Sequence, residues 1–236
     1  VCSSDLLRGT PDGFAQGHLA FREGATLASS DYATVTITGV GGHGAMPHKA
    51  VDPIPATASI VLALQTIASR NADPMQAAIV TVGAMHAGNA NNVIAQSAVL
   101  EISVRALDRD VRTMIEQRLK AIVTAQAESF GVRAQIDYRK GYAVLVNTPE
   151  ETEFARRIGF ELVGAERVVP NAPATTGSED FAFMLERRPG CYLFIGNGAG
   201  DEHGACMIHN PGYDFNDGNL PIGAAYWALL AETYLQ

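Results

Sequence analysis

Residues 32–53 read YATVTITGVGGHGAMPHKAVDP, and their pattern changes twice. Ala33, Val35 and Ile37 alternate with Thr34, Thr36 and Thr38, which predicts a half-buried strand rich in β-branched residues. From Gly39 the chain becomes a glycine-rich loop with His43 in its middle. Asp52 followed by Pro53 predicts a helix start, because a cap carboxylate accepts from free N–H groups and proline at the first helical position has none to satisfy. The loop is therefore held at both ends. Glycines let backbone approach a neighbour closely, so the loop is suited to presenting the imidazole of His43 to a ligand. The plain alternative for a lone loop histidine is solvated surface.

Outward from this stretch, the first helix is expected from Pro53 to about Arg70, with Ile60, Leu64 and Ile67 on one face. Ala78 to Met85 reads as a second strand. Ala98, Leu100, Ile102 and Val104 alternate with Val99, Glu101, Ser103 and Arg105 in a third. A second helix follows from Arg109 to about Phe130, with Val111, Ile115, Leu119 and Ile122 as its apolar stripe and Gly131 as its stop. Ala134, Ile136 and Tyr138 mark a fourth strand. The order strand, helix, strand, strand, helix, strand predicts a ferredoxin-like (βαββαβ) domain over residues 31–145, with both helices on one face of the sheet. Residues 146–236 carry a helix from Pro149 to Gly164, a short apolar strand at Tyr192 to Ile195 and a last helix from about Leu220 to Leu235. One strand between helices cannot bury both its faces. This segment therefore reads as the C-terminal part of an α/β domain, and residues 1–30 as a remnant of the same domain with a linker. The opening residues VCSSDLLRGTPDG show neither period and no initiating methionine, so the chain reads as truncated.

The net charge of −8 and the scattered lysines and arginines speak against a nucleic-acid partner. No apolar run reaches membrane-spanning length. The three cysteines, Cys2, Cys191 and Cys206, have no framework spacing, which suits a cytoplasmic setting better than a disulfide scaffold.

Several residues outside the loop are candidates for chemistry. His203, Cys206 and His209 fall three apart in a polar loop, a donor set that suits zinc if the loop folds round it and otherwise a surface loop with a half-buried cysteine. HNPGYDFND begins at His209, and its turn would fix that ring. Thr176-Gly177-Ser178-Glu179 fits a capping box for the helix holding Phe181, Phe183 and Leu185, and its N–H groups also suit an anionic ligand. Arg105 is open between a surface ion pair with Glu101 and a bidentate clamp on a carboxylate. Asn92 is open between a turn and an amide donor to substrate.

GVGGHGAMPHKAVDPI, GNANNVIAQSAVLEISVRAL, TGSEDFAFML and HNPGYDFND, in this order and at these separations, resemble the aminoacylase and hippurate hydrolase family of dinuclear-metal amidohydrolases. The resemblance implies a catalytic α/β domain interrupted by a ferredoxin-like lid that also makes a homodimer. It implies two divalent metal ions in the complete enzyme, zinc, manganese or similar, with His209 as a ligand. His43 would stabilise the oxyanion in the partner's active site, Asn92 and Arg105 would contact a small N-acyl amino acid substrate, and Gly177 and Ser178 would line the same pocket. The family's other ligands and its general-base glutamate belong to an N-terminal half not found here, so this chain alone is expected to be inactive. Where the family has His-Asn-x-Pro, this sequence has Arg8-Gly9-Thr10-Pro11, and Ala95 stands at a position commonly proline. A different class remains: a non-enzymatic dimerisation or ligand-sensing module, which would have no use for TGSEDF or HNPGYDFND.

Overall fold

The computed structural model describes the strand Cys2–Asp5 and residues 14–200, 203, 205, 206 and 208–236. Arg8 to Pro11 lie outside the described residues. In chain order the first elements are β1 (Cys2–Asp5), β2 (Leu19–Ala20), β3 (Gly24–Leu27), β4 (Asp31–Thr38) and β5 (Gly42–His43). They are followed by α1 (Pro53–Thr66), β6 (Ala78–Ala87), β7 (Val93–Ile94), β8 (Ser97–Ala106), α2 (Arg109–Ser129) and β9 (Arg133–Lys140). The last part holds β10 (Leu145–Asn147), α3 (Pro149–Val163), β11 (Val168–Val169), α4 (Phe181–Leu185), β12 (Cys191–Ile195) and α5 (Asn219–Tyr234). The chain divides into two compact units, Ala28–Val144 and Val1–Leu27 with Leu145–Gln236.

Ala28–Val144 is a ferredoxin-like unit. Its sheet runs β6-β8-β4-β9 with every neighbouring pair antiparallel. The alternation in β4 is realised directly: Ala33, Val35 and Ile37 are buried, while Thr34 and Thr36 are half-buried and Thr38 is exposed. Register places Val35 between Leu100 of β8 and Ile136 of β9, so apolar residues meet in rows across the strands. The covered face is sealed by Ile60 and Leu64 of α1 and by Val111, Ile115, Leu119 and Val123 of α2, all in one core. Each such buried side chain contributes on the order of 1.5–3 kcal/mol relative to exposure. The innermost residue of the last turns of α2 is Val123 and not Ile122, which packs half-buried beside it.

The helix boundaries follow local chemistry. The Asp52 carboxylate accepts from the Ile54 N–H at 2.9 Å, so α1 starts where the Asp-Pro signal puts it. The α-helix ends at Thr66, earlier than its apolar period suggests, and widens into one π-turn over Ile67–Asn71 closed by the Ala72 N–H on the Ile67 carbonyl at 3.0 Å. Asp108 caps α2 through the N–H groups of Asp110 and Val111, and Gly131 (φ 69°) takes the left-handed conformation that ends it. Glu116 of α2 is held below its usual carboxylate range by hydrogen bonds from Lys120 at 2.6 Å and Lys140 of β9 at 2.9 Å.

At the first residue of β4 the Asp31 carboxylate is fully buried. It accepts from Arg112 Nε at 2.9 Å and from Arg112 Nη2, from the Tyr138 hydroxyl at 2.9 Å and from the Gly141 N–H at 3.1 Å. Central strand, covering helix and edge strand are thus joined at one anion. Nothing in the periodicity of the sequence marks Asp31.

In the other unit, β12 does not stand alone. It pairs in parallel with β1 and antiparallel with β2, and β2 pairs in parallel with β11. The expected lone strand is thus the second of a four-stranded sheet ordered β1-β12-β2-β11. Its neighbours are two to four residues long, too short to show a period in sequence. Leu193 and Ile195 of β12, Leu19, Ile158 of α3 and Tyr226 of α5 form its core, and the Tyr226 hydroxyl donates to the Ala155 carbonyl at 2.9 Å. Among the described residues no helix is long and apolar enough to cross a membrane.

Burial, and then the Asp31 charge, push the Tyr138 hydroxyl well above its ordinary ionisation range. A raised folded-state value gives stability that is complete below the unfolded value, about 10, and is lost as pH rises beyond it. Chemical denaturation followed between pH 8.5 and 11 should therefore show a steeper loss for the natural chain than for Tyr138→Phe. Arg112→Leu strands the buried carboxylate and should cost about 3–5 kcal/mol in the same assay at pH 7.

Candidate functional site

His43 occupies the second position of β5, which pairs with β7 through Gly42 opposite Ile94 and His43 opposite Val93. The Gly44 N–H donates to the Asn92 carbonyl at 2.8 Å, and the His43 carbonyl accepts from the Met46 N–H at 2.8 Å. The glycines are required by close packing of the loop on itself. A Cβ on Gly39 would lie 2.0 Å from the Val51 carbonyl oxygen, and one on Gly44 would lie 2.9 Å from that of Asn92. On the ring, Nδ1 accepts from the Ala45 N–H at 3.1 Å. In the neutral imidazole this leaves the proton on Nε2, so the exposed ring presents a hydrogen-bond donor.

Asn92 lies beside His43 across this small ladder. Arg105 does not. It stands near the far end of β8, opposite Ile79 of β6, and eight residues of strand, about 27 Å, separate it from Ser97 at the loop end. Within one copy of this unit the structure therefore brings His43 and Asn92 together and holds Arg105 apart. Glu101, the expected ion-pair partner of Arg105, accepts from the Thr34 hydroxyl at 2.9 Å.

The remaining candidates belong to the other unit. Gly177 donates its N–H to the Thr175 hydroxyl at 3.3 Å, and the Asp180 N–H is taken by Glu179 Oε1 at 2.9 Å. The helix begins at Phe181 behind Asp180, so the run Thr176 to Glu179 does not open it in the way expected of a capping box. Five helical residues carry too little aligned dipole to make an anion site of this end. Ser178 is half-buried in the same segment.

His209 is exposed and adopts a left-handed backbone (φ 68°), the only non-glycine among the described residues to do so. The turn after it is closed by Asn210, whose carboxamide oxygen accepts from the Gly212 N–H at 2.8 Å. His203 Nε2 lies 2.8 Å from an Asp214 carboxylate oxygen. Asp214 was not among the expected partners, although it sits in the same HNPGYDFND run. Among the described residues no three His, Cys, Asp or Glu side chains come together, so His203, Cys206 and His209 do not form the zinc cluster their spacing allowed. Nor do these residues by themselves compose a two-metal centre. The loop is shaped instead by buried Asn197 and Asn219: Asn197 accepts from the Asn216 N–H at 2.9 Å, and Asn219 donates to the Gly196 carbonyl at 3.0 Å.

Residues 27–130 match the M20 peptidase dimerisation domain. The chain is 37% identical to hippurate hydrolase of Campylobacter jejuni over 91% of its own length and 55% of that protein. It is 35% identical to N-acetyl-L-cysteine deacetylase of Bacillus subtilis, over 94% of the chain and 51% of the relative. The chain belongs to the M20 family of amidohydrolases and peptidases. It spans about half the length of these curated relatives. Among solved structures, a candidate aminohydrolase from methicillin-resistant Staphylococcus aureus superposes with a TM-score of 0.88 at 27% identity, covering 100% of this chain and 59% of that one. A Bacillus subtilis dinuclear metal binding peptidase from the M20 family shares the fold, with a TM-score of 0.77 at 24% identity over 99% of this chain and 56% of that one.

The packing of this M20 loop gives a direct test. Gly44→Ala forces a Cβ against the Asn92 carbonyl and should destabilise the β5–β7 pairing by about 1–3 kcal/mol. Hydrogen exchange should show protection lost first at Gly44 and His43, with the β4–β8 ladder unchanged.

Proposed function

We propose that this chain is the lid and the C-terminal part of the catalytic α/β domain of a metal-dependent amidohydrolase. The substrates are small N-acyl amino acids or related amides, hippurate-like in the acyl half, and the setting is cytoplasmic. The observation that carries this reading is the fixed, exposed Nε2–H of His43 on a loop whose backbone is latched at Gly44, within a chain 37% identical to a hippurate hydrolase. A donor of this kind serves the oxyanion that forms when an amide carbonyl is attacked. Asn92 adds an amide beside it. Arg105, far along β8, and Gly177 with Ser178 supply contacts to other parts of the substrate. Two divalent metal ions belong to the complete enzyme, where they would polarise the carbonyl and acidify a water. His209 is the residue of this chain that would hold one of them. A single ligand does not build that centre, so the chain as it stands should retain no stoichiometric metal and should not hydrolyse hippurate. Metal analysis with a turnover assay checks this.

The homodimer is formed by the lid, through the β6 edge. β6 is ten residues long and contains no charged side chain, whereas β9 at the opposite edge carries Arg133, Asp137, Arg139 and Lys140. Charged edges resist pairing and long apolar ones invite it. Met85 on β6 and Leu62 on α1 are large exposed apolar residues, 43% and 73% accessible. The 25.0 kDa chain should sediment as a dimer, and Leu62→Asp with Met85→Asp should give a folded monomer.

If His43 acts across this dimer, its loss removes an interaction made mainly in the transition state. In a full-length enzyme completed with the N-terminal half of a close relative, His43→Ala should lower kcat by about 100- to 1,000-fold with little change in KM. Mixing that variant with a subunit whose metal site is destroyed should restore one working site per heterodimer. Unrecovered activity in confirmed heterodimers would show that His43 does not serve the partner.

A further inference from the structure

Between the end of β4 and the start of β5 the strand ladder is interrupted, and one side chain fills the gap. The Gln96 backbone carbonyl accepts from the Gly39 N–H at 3.0 Å. Its carboxamide donates from Nε2 to the Gly39 carbonyl at 2.9 Å and accepts at Oε1 from the Gly41 N–H at 3.0 Å. Gln96 therefore makes three bonds to two glycines directly ahead of Gly42 and His43. A Cβ on Gly41 would lie 3.0 Å from the Ile94 carbonyl oxygen and 3.4 Å from Gln96 Oε1, so the glycine lies close under this side chain. The same side chain helps to wall a groove of about 510 Å³ with Gly42, Gly88, Asn89 and Val93.

We propose that Gln96 is a positioning residue for His43. Its carboxamide stands in for a missing strand residue and holds Gly39 to Gly41 extended, so that the β5–β7 pairing starts in register and the ring faces outward with Nε2–H free to donate. Val40 stays paired to Val51 by two backbone bonds, so without the clamp it is Gly39 and Gly41 on either side that regain their wide conformational range, and the imidazole loses its fixed aim. The functional meaning rests on the reading of His43 as the oxyanion donor. The clamp itself is measurable without it.

The test uses the full chain, labelled for NMR at backbone amides and histidine rings. Gln96→Met keeps the side-chain length and loses both carboxamide bonds. It should raise Gly41 amide exchange at least tenfold and shift or broaden the His43 ring signals, leaving β4 and β8 protected. Gln96→Glu adds a signature that mere packing lacks. The ionised carboxylate accepts from Gly41 but repels the Gly39 carbonyl, whereas the protonated acid reproduces both bonds of the amide. The clamp should thus close as pH falls through the ordinary glutamate range, about 4.3 or somewhat above, in a window where the natural chain shows no such transition. Unchanged Gly41 and His43 signals in Gln96→Met, or no titration in Gln96→Glu, would overturn the proposal. If the clamp behaves as expected while His43→Ala leaves turnover of the full-length enzyme intact, Gln96 still positions the loop and the catalytic reading of His43 falls.

Discussion

A buried carboxylate sets the frame of the ferredoxin-like unit. Asp31 opens the central strand, and with its side chain removed from water it must be matched by opposite charge and hydrogen bonds or cost several kcal/mol. Arg112 of α2, Tyr138 of β9 and the Gly141 N–H supply that match. Each arises from a different element, so satisfying one anion fixes helix against sheet and edge strand against central strand. The alternating apolar face of β4 could accept several helix positions of similar burial. A bidentate guanidinium accepts far fewer.

From the opposite end of β4 the chain enters the His43 loop, and the physics there differs. Little is buried, and order comes from backbone hydrogen bonds between glycine-rich segments. Gly39 and Gly44 admit neighbouring carbonyls at distances a side chain would forbid. This is how an exposed imidazole is held still: backbone bonds on both sides of His43, one ring nitrogen tied to the Ala45 N–H and the other directed outward. The match to the M20 peptidase dimerisation domain gives this arrangement its proposed use, and the chain spans about half the length of the curated relatives it matches.

Legibility differed sharply between the two units. In the ferredoxin-like unit, long strands and helices carry strong periods, and the expected elements agree with the structure within a few residues at each end, with the Asp52 cap confirmed by its bond to Ile54. In the other unit, β1, β2 and β11 are too short for any period; of the three only β2 falls in a stretch, His18 to Arg22, that the sequence offers as a strand end, so β12 read as solitary. The run at Thr176 does not open a helix as a capping box would, because the helix starts only at Phe181, and the Glu179 carboxylate takes the Asp180 N–H and the Tyr192 hydroxyl.

By itself the sequence determined the ferredoxin-like order of elements, the strand-loop-helix that carries His43 and the motifs that place the chain in its family, because these depend on local chemistry and on spacing along the chain. Only the tertiary structure decided that Asn92 adjoins His43 while Arg105 lies a strand's length away, that His203 meets Asp214 and, among the described residues, joins no cluster of three ligands, and that Asp31 and Gln96 hold their surroundings together. Those outcomes depend on register and on which buried or bridging groups find partners across long sequence separations, as when Arg112 reaches Asp31 from eighty-one residues away. No local pattern encodes such a meeting.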